Sequence, residues 1–244
     1  MRRWIMSSAL AALFLGGAVH AEVAPQDGTD FSSAEQQVFA APHLENLPDS
    51  ATLRYRYRKN EAGQAAVDDE VVVTARREEG RPGRAVQVDY LHGDRHLALP
   101  EVDNATSNPL ILYFLESDVR DMHRRLGGQE NYFRRRIRLA LAEGAHVSTV
   151  AVRYRGQVLQ GTRVEIHPYA NDTLAERFRG MADKVYLFTL SPQVPGGVYE
   201  LRSRVAAVAS REEPLLEEIL TLRDEASDGT PPNAPAPGYI TKGE

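Results

Sequence analysis

A helical segment between two blocks of strand-like sequence constrains the fold of this chain more than any other feature. From Ser107 to Gly144, apolar residues recur at helical spacing over a longer distance than elsewhere. Asn108 can cap a helix N-terminus, and Pro109 suits the first helical position because it has no N–H to leave unpaired. The glycine pair at 127–128 supplies a left-handed stop. We therefore predict two helices within residues 108–143.

Each predicted helix has one apolar face, which requires a second layer of structure to cover it. In the first helix the apolar residues recur three or four positions apart, on one face: Ile111, Leu115, Val119, Met122 and Leu126. In the second helix the corresponding stripe is Phe133, Ile137 and Leu141. Opposite charges four residues apart are typical of exposed ion pairs: Glu116–Arg120, Asp121–Arg125 and Glu130–Arg134.

The sequence on both sides of this segment alternates with a period of two, which is typical of half-buried strands. Before the helices it predicts three or four antiparallel strands, the last at residues 96–99 after a tight turn at Gly93-Asp94. After them the alternation returns. The stretch 184–190 is apolar on both alternations, which indicates a strand covered on both faces. Residues 214–223 fit a helix or a strand, and we interpret them as the final strand.

These elements predict an α+β fold. About nine strands form a long curved antiparallel meander, which could form an open barrel, and a two-helix insertion packs on it. The meander and helices form a single domain over residues 50–224. Residues 22–49 form a loosely attached N-terminal arm, with a short helix capped by Ser32 or Ser33 and ended by Pro42. The Pro-rich residues 225–244 are predicted to be a disordered tail.

Residues 1–21 have the composition of a cleavable secretory signal. A basic start at Arg2-Arg3 precedes an apolar run and small residues that end at Ala21, so Glu22 is the predicted mature N-terminus. The apolar run is shorter than the ~20 residues that a spanning helix needs, so we predict no transmembrane span in the mature chain. The chain has no cysteine, which excludes disulfides and an acylated cysteine at the cleavage site. We expect the protein in the periplasm.

Composition and motifs narrow the classes of function. Removing the signal takes away two of the 29 basic residues and none of the 34 acidic ones, so the formal charge falls from −5 to −7. This balance argues against nucleic-acid binding. The sequence has no GxSxG, HExxH, P-loop or GxGxxG motif, so we predict neither an enzyme nor a cofactor. His92, Asp94 and His96 form a metal-like cluster, but their spacing matches no zinc signature and Asp94 suits a turn, so no metal site is predicted.

Two sets of residues are candidates for binding. The first would line an apolar cavity between the sheet and the helices, although a filled core explains the same residues equally well: Leu112, Phe114, Tyr132, Tyr186 and Phe188. The second consists of arginines on the second helix that have no acidic residue four positions away: Arg135, Arg136 and Arg138. These arginines could contact a phosphate, an acidic partner or a lipid headgroup, or could form a solvated face.

The order of elements over roughly residues 50–224 resembles that of the periplasmic outer-membrane lipoprotein carriers, which are open-barrel proteins, and of other periplasmic proteins of similar layout. In the carriers the concave sheet holds acyl chains under a helical lid, and an arginine near the cavity is associated with retaining the cargo. The resemblance therefore implies an apolar cavity. It rests on element order, so no residue is transferred from it, and the Arg-rich second helix differs from a simple apolar lid.

Two functions are consistent with these features. The first is a non-enzymatic binder or carrier of an apolar or lipid-like ligand held between sheet and helices. The alternative is a scaffold or accessory subunit of an envelope complex, which contacts an acidic protein partner through the Arg-rich second helix. The binder requires a cavity between the sheet and the helices, whereas the scaffold is compatible with a filled core. The sequence alone is consistent with both arrangements.

Overall fold

The computed structural model describes residues 31–178, 180–206 and 214–224. Within them, nine strands form one antiparallel sheet that is not closed, and three helices accompany it, which confirms the predicted α+β class. The predicted signal at 1–21 and the tail at 225–244 lie outside the described residues. None of the helices in the described part is long and apolar enough to cross a membrane.

The secondary-structure elements follow one another along the chain with the helices in the middle. The strands are β1 (Ser50–Glu61), β2 (Val67–Arg77), β3 (Arg84–Tyr90), β4 (Val102–Ala105), β5 (His146–Tyr154), β6 (Gln157–Ile166), β7 (Val185–Leu190), β8 (Val198–Val205) and β9 (Leu216–Leu222). The helices are α1 (Ser33–Glu35), which continues as a π-helical turn over Gln36–Ala40, α2 (Leu110–Leu126) and α3 (Glu130–Glu143).

The sheet is built from two meanders joined in its middle. The strand order is β4-β3-β2-β1-β9-β8-β7-β6-β5, so β1 and β9 are central neighbours and β4 and β5 are the edges. The joint between the meanders runs from Tyr55 opposite Leu222 to Glu61 opposite Leu216. Because α2 and α3 lie between β4 and β5 in the chain, the helical pair connects the two opposite edges of the sheet.

The predicted alternation along β1 is confirmed. Tyr55 and Tyr57 are buried on the side of the sheet that faces α2. The intervening arginines lie on the opposite side, where Arg54 pairs with Glu70 at 2.7 Å and Arg56 pairs with Asp68 at 3.0 Å. The arginine ladder of β1 is thus neutralised by acids of β2.

The predicted helix ends were correct to within one residue, since α2 begins at Leu110 and Pro109, the predicted first residue, directly precedes it. The Asn108 side chain accepts a hydrogen bond from the Leu110 N–H at 3.1 Å at the start of α2, and Gly127 and Gly128 have φ of 72° and 82° after its end. The three predicted ion pairs form: Glu116–Arg120 at 3.2 Å, Asp121–Arg125 at 2.7 Å and Glu130–Arg134 at 2.6 Å.

The expectation that all these pairs are exposed was wrong for Asp121 and Arg125. Their side chains are only 10% and 25% exposed, because this part of α2 lies against the sheet. Arg125 also donates two hydrogen bonds of 2.7 Å to Glu61 at the end of β1. The pair therefore connects the helix to the sheet.

The described part of the N-terminal arm is packed into the core, which differs from the expected loose attachment. Ser32 caps α1, as predicted, and Val38 and Leu44 are each 1% exposed. The buried guanidinium of Arg84 holds the following segment by donating to the carbonyls of Leu44, Leu47 and Pro48. Because one guanidinium group donates to three main-chain carbonyls, it fixes the position of the arm.

Two predictions about strands are confirmed, the two-sided burial of residues 184–190 and the final strand within residues 214–223, whereas the predicted strand at 96–99 is wrong. Residues 216–222 form β9, and all six residues of β7 are buried. The predicted strand at 96–99 does not form, because Gly93–Arg95 make a 3-10 turn and only Leu97 bridges back to Tyr90. The fourth strand is β4 instead, after Pro100 has ended that segment.

Candidate ligand-binding groove

A groove of about 340 Å³ lies where the N-terminal segment meets α2 and α3. Its walls are mainly apolar: Val38, Phe39, Leu112, Leu115, Val119 and Ile137. Its volume falls in the range of small-molecule sites, about 300–1,000 Å³. A larger cleft of about 720 Å³ near Tyr154 is lined mainly by polar atoms. The groove on the helices is therefore the better candidate for an apolar ligand.

Helix geometry brings these apolar residues together. Leu112, Leu115 and Val119 are separated by three and four residues, so they form a continuous ridge on the side of α2 that faces α3. Ile137 faces them from α3, and Val38 closes the groove from the N-terminal segment. Since this third wall comes from a distant part of the chain, the groove depends on tertiary packing.

Of the predicted cavity-wall residues, Leu112 lies in this groove. Its side chain is 54% exposed, whereas its neighbours Ile111 and Phe114 are each 1% exposed. Single exposed leucines are common on protein surfaces. Here the exposed side chain is continuous with an apolar depression, which makes the surface a candidate for ligand contact.

The acid in the groove is neutralised by arginines. Glu116 accepts hydrogen bonds from Arg134 at 2.7 and 2.9 Å and from Arg120 at 3.2 Å. Arg134 also pairs with Glu130 at 2.6 Å. The hydrogen bonds from Arg134 and Arg120 hold the pKa of Glu116 below its usual value despite partial burial. These two acids and two arginines have no net charge as a group.

Arg138 also lines the groove, and its charge is not neutralised in this way. It is exposed and stands one helical turn after Arg134. Within the described residues it has no ion pair or side-chain hydrogen bond. It therefore leaves one positive charge without an ion pair in the lining of a mainly apolar groove.

The other predicted wall residues are not in the groove. Tyr186 and Phe188 on β7 are 0% exposed and Phe114 is 1% exposed, so all three are core side chains between the sheet and α2. Tyr132 lies on α3 and makes edge-on ring contact with Phe133 at 5.7 Å. The structure thus brings Phe114, Tyr186 and Phe188 together in the core, but places Leu112 and Tyr132 elsewhere.

A buried polar cluster fastens α2 to the sheet between those aromatic residues. Asp118 of α2 is 0% exposed and forms an ion pair with Lys184, which is also 0% exposed. The Tyr186 hydroxyl donates to Asp118 at 2.5 Å, and the Ser203 hydroxyl donates at 3.3 Å. Burial and the Asp118 charge both raise the pKa of Tyr186, so the phenol keeps its proton as a donor.

A second polar cluster lies beside the first. Lys59 of β1 pairs with Glu218 of β9 at 2.6 Å and approaches Asp121 of α2 at 3.6 Å. Burial raises the pKa of Glu218, and the nearby Lys59 opposes that effect. These contacts join α2 to the two central strands of the sheet. Buried ion pairs of this kind fix geometry more than they add stability.

The three predicted arginines have different environments. Arg136 pairs with Asp172, in the segment between β6 and β7, at 2.8 Å, and donates to the Pro168 carbonyl at 3.0 Å. The charge of Arg136 is therefore neutralised by Asp172 within the protein. Arg135 is exposed, has no ion pair in the described chain, and is not among the residues that line the groove.

The histidine cluster is divided among separate partners. His92 contacts Asp69 at 2.6 Å, whereas His96 contacts the Leu91 carbonyl at 3.1 Å and Asp89 at 3.4 Å. Asp94 lies in the 3-10 turn between them. In the described part of the chain, no group of three or more His, Asp or Glu side chains is arranged to hold a metal ion.

Two features of the site escaped prediction from sequence. The buried charges were missed because an aspartate on a helix is normally a surface residue. A signal was present, since Asp118 follows Phe114 by four positions on the buried face, and Lys184 is one of three lysines in a chain with 26 arginines. The groove had no such signal, because its third wall is set by long-range packing.

The sequence matches no family model and no curated protein.

Proposed function

We propose that this chain is an exported, non-enzymatic binding protein that holds an apolar, lipid-like ligand in the groove between its N-terminal segment, α2 and α3. The observation that carries the proposal is the half-exposed Leu112 in the lining of a mainly apolar groove of about 340 Å³. A depression of this size with few polar groups is typical of small-molecule sites.

The groove supports binding better than the space between sheet and helices. That space is occupied by core aromatic side chains such as Tyr186 and Phe188, and by the buried pair Asp118–Lys184. A ligand there would have to displace packed side chains and separate buried charges, which would cost several kcal/mol. Binding in the groove requires no such rearrangement.

Export to the periplasm and the lack of catalysis are parts of the same proposal. Export rests on the signal-like residues 1–21, which lie outside the described residues. The non-enzymatic reading rests on the chemistry of the groove, where Glu116 is held by two arginines and so is poorly placed to act as a base. The buried ion pair Asp118–Lys184 and the Tyr186 hydroxyl that donates to Asp118 are shielded from solvent.

Ligand extraction with a pair of variants tests this proposal. Protein purified from a native periplasm should release a stoichiometric apolar compound into organic solvent, identified by mass spectrometry. Leu112→Asp should lose that compound, because a charge would be placed against the apolar chain. Val158→Asp is the control, since Val158 is a comparably exposed apolar residue, 62% exposed, outside the groove lining.

Both variants should remain folded, because each changes an exposed side chain and such changes usually alter stability by less than about 0.5 kcal/mol. Recovery of no bound compound from the native protein, together with no thermal stabilisation by added fatty acids, would contradict the proposal.

The second candidate is an accessory subunit that contacts an acidic protein partner. It is favoured by the exposed side chains of Arg135 and Arg138, which lie on one helix without ion pairs in the described chain. Under this proposal, Arg135→Glu combined with Arg138→Glu should abolish co-purification of the partner. Unchanged co-purification would rule out this surface.

A further inference from the structure

The charge distribution of the groove distinguishes one kind of ligand from others. Glu116 and Glu130 are matched by Arg120 and Arg134, so this part of the rim is electrically neutral. Arg138 alone adds a positive charge to the lining. One uncompensated cation beside an apolar surface is complementary to a single negative charge at the end of an apolar chain.

The negative charge of the whole protein does not oppose this local attraction. The formal net charge of the chain that begins at Glu22, −7, is spread over its length. At physiological ionic strength, charges more than about 8 Å from the rim are largely screened. The contact with Arg138 therefore determines which headgroup is preferred.

The groove volume of about 340 Å³ suits a ligand whose apolar part is one short chain. A methylene group is similar in size to a water molecule, which occupies about 30 Å³ in the liquid, so 340 Å³ accommodates roughly ten carbons. A lipid with two long acyl chains would leave most of its apolar surface outside.

We infer that the ligand is a single-chain carboxylate, a fatty acid of medium length, whose chain lies along Leu112 and Ile137 and whose carboxylate pairs with Arg138. This inference rests on the proposed function, since it assigns a headgroup to a ligand of the same groove. It makes Arg138 the residue that determines specificity and Leu112 the residue that provides apolar contact.

Titration calorimetry with matched ligands tests the inference on the chain that begins at Glu22. Dodecanoate should bind more tightly than dodecanol, and Arg138→Gln should weaken dodecanoate binding roughly three- to tenfold. The same variant should leave dodecanol binding unchanged. Arg135→Gln, which removes a neighbouring exposed charge from the same helix, is the control and should bind dodecanoate as the parent does.

Each alternative result has a distinct meaning. Equal binding of dodecanoate and dodecanol, unaffected by Arg138→Gln, would overturn the carboxylate inference and leave the apolar groove intact. Tighter binding of a two-chain phosphatidylglycerol than of dodecanoate would overturn it in favour of a diacyl lipid. Binding of none of these compounds would overturn the proposed function as well.

Discussion

Lys184 and Asp118 show how a few buried residues can fix the position of a whole helix. Both side chains are fully buried, and Asp118 also receives hydrogen bonds from Tyr186 and Ser203. Separating one charge from its partner leaves the other without compensation in the core. Such pairs are costly to break even where they add little net stability.

Lys184→Met should therefore lower the free energy of unfolding by about 3–5 kcal/mol, because Asp118 would remain buried without its cation. Adding Asp118→Asn should restore part of the loss, giving a coupling energy above about 1 kcal/mol in a double-mutant cycle. Urea unfolding followed by circular dichroism measures both values. The control is Asp68→Asn, which removes a half-exposed acid that pairs with Arg56 and should cost less than about 1 kcal/mol.

The lowered pKa of Asp69 makes the free energy of unfolding depend on pH. Burial raises the pKa of Asp69, but hydrogen bonds from His92, the Glu70 N–H and Arg95 outweigh it and lower the pKa to about 2. The unfolded value is about 4, so Asp69 stabilises the folded state above pH 4 and this contribution is lost as the pH falls toward 2.

The contribution of Asp69 should be on the order of 1 kcal/mol after solvent screening. Asp69→Asn should flatten the decline of unfolding free energy between about pH 4 and pH 2, measured by urea titration at each pH. His92 has the opposite sign, because Asp69 raises the pKa of His92 and its contribution is lost as the pH rises through that value. An acid decline in Asp69→Asn as steep as in the parent would contradict this account.

At the scale of elements, the N-terminal segment has a larger role than its length suggests. The Ser32 hydroxyl accepts from the Glu35 N–H at 3.1 Å and donates to the Leu141 carbonyl of α3 at 3.0 Å. This residue therefore both caps α1 and attaches it to α3. Val38, which follows on the same segment, is a wall of the groove.

Ser32→Ala should cost about 1 kcal/mol of stability through loss of the cap. It should also speed hydrogen exchange of amides 35–40 and weaken dodecanoate binding, because the third wall of the groove would be less firmly held. Ser33→Ala is the control, since Ser33 is exposed and begins the helix without a capping role. Equal exchange in both variants would show that the segment is fixed by its apolar contacts alone.

At the scale of the whole molecule, local patterns predicted the elements but not their arrangement. The alternation along Leu53, Tyr55 and Tyr57 and the glycine stop at 127–128 are local signals, and the structure confirms them. The pairing of β1 with β9 joins residues more than 150 positions apart, such as Tyr55 and Leu222. No local periodicity specifies such a contact.

The same limit applies to the candidate site. Leu112 was recognisable because it lies off the main apolar stripe of α2, and the structure places it in the groove. Phe114, Tyr186 and Phe188 looked equally suitable, yet they are core residues. A sequence pattern identifies an apolar side chain, but tertiary packing decides whether another side chain or a ligand covers it.

The proposed ligand lies in the groove formed by α2, α3 and the N-terminal segment, and not between the sheet and the helices. The most direct measurement uses isotope-labelled dodecanoate and nuclear Overhauser effects between its chain and the protein. For a ligand in the groove, we expect effects to the methyl groups of Leu112, Val38 and Ile137. Effects to the rings of Tyr186 and Phe188 instead would place the ligand between sheet and helices and contradict this proposal.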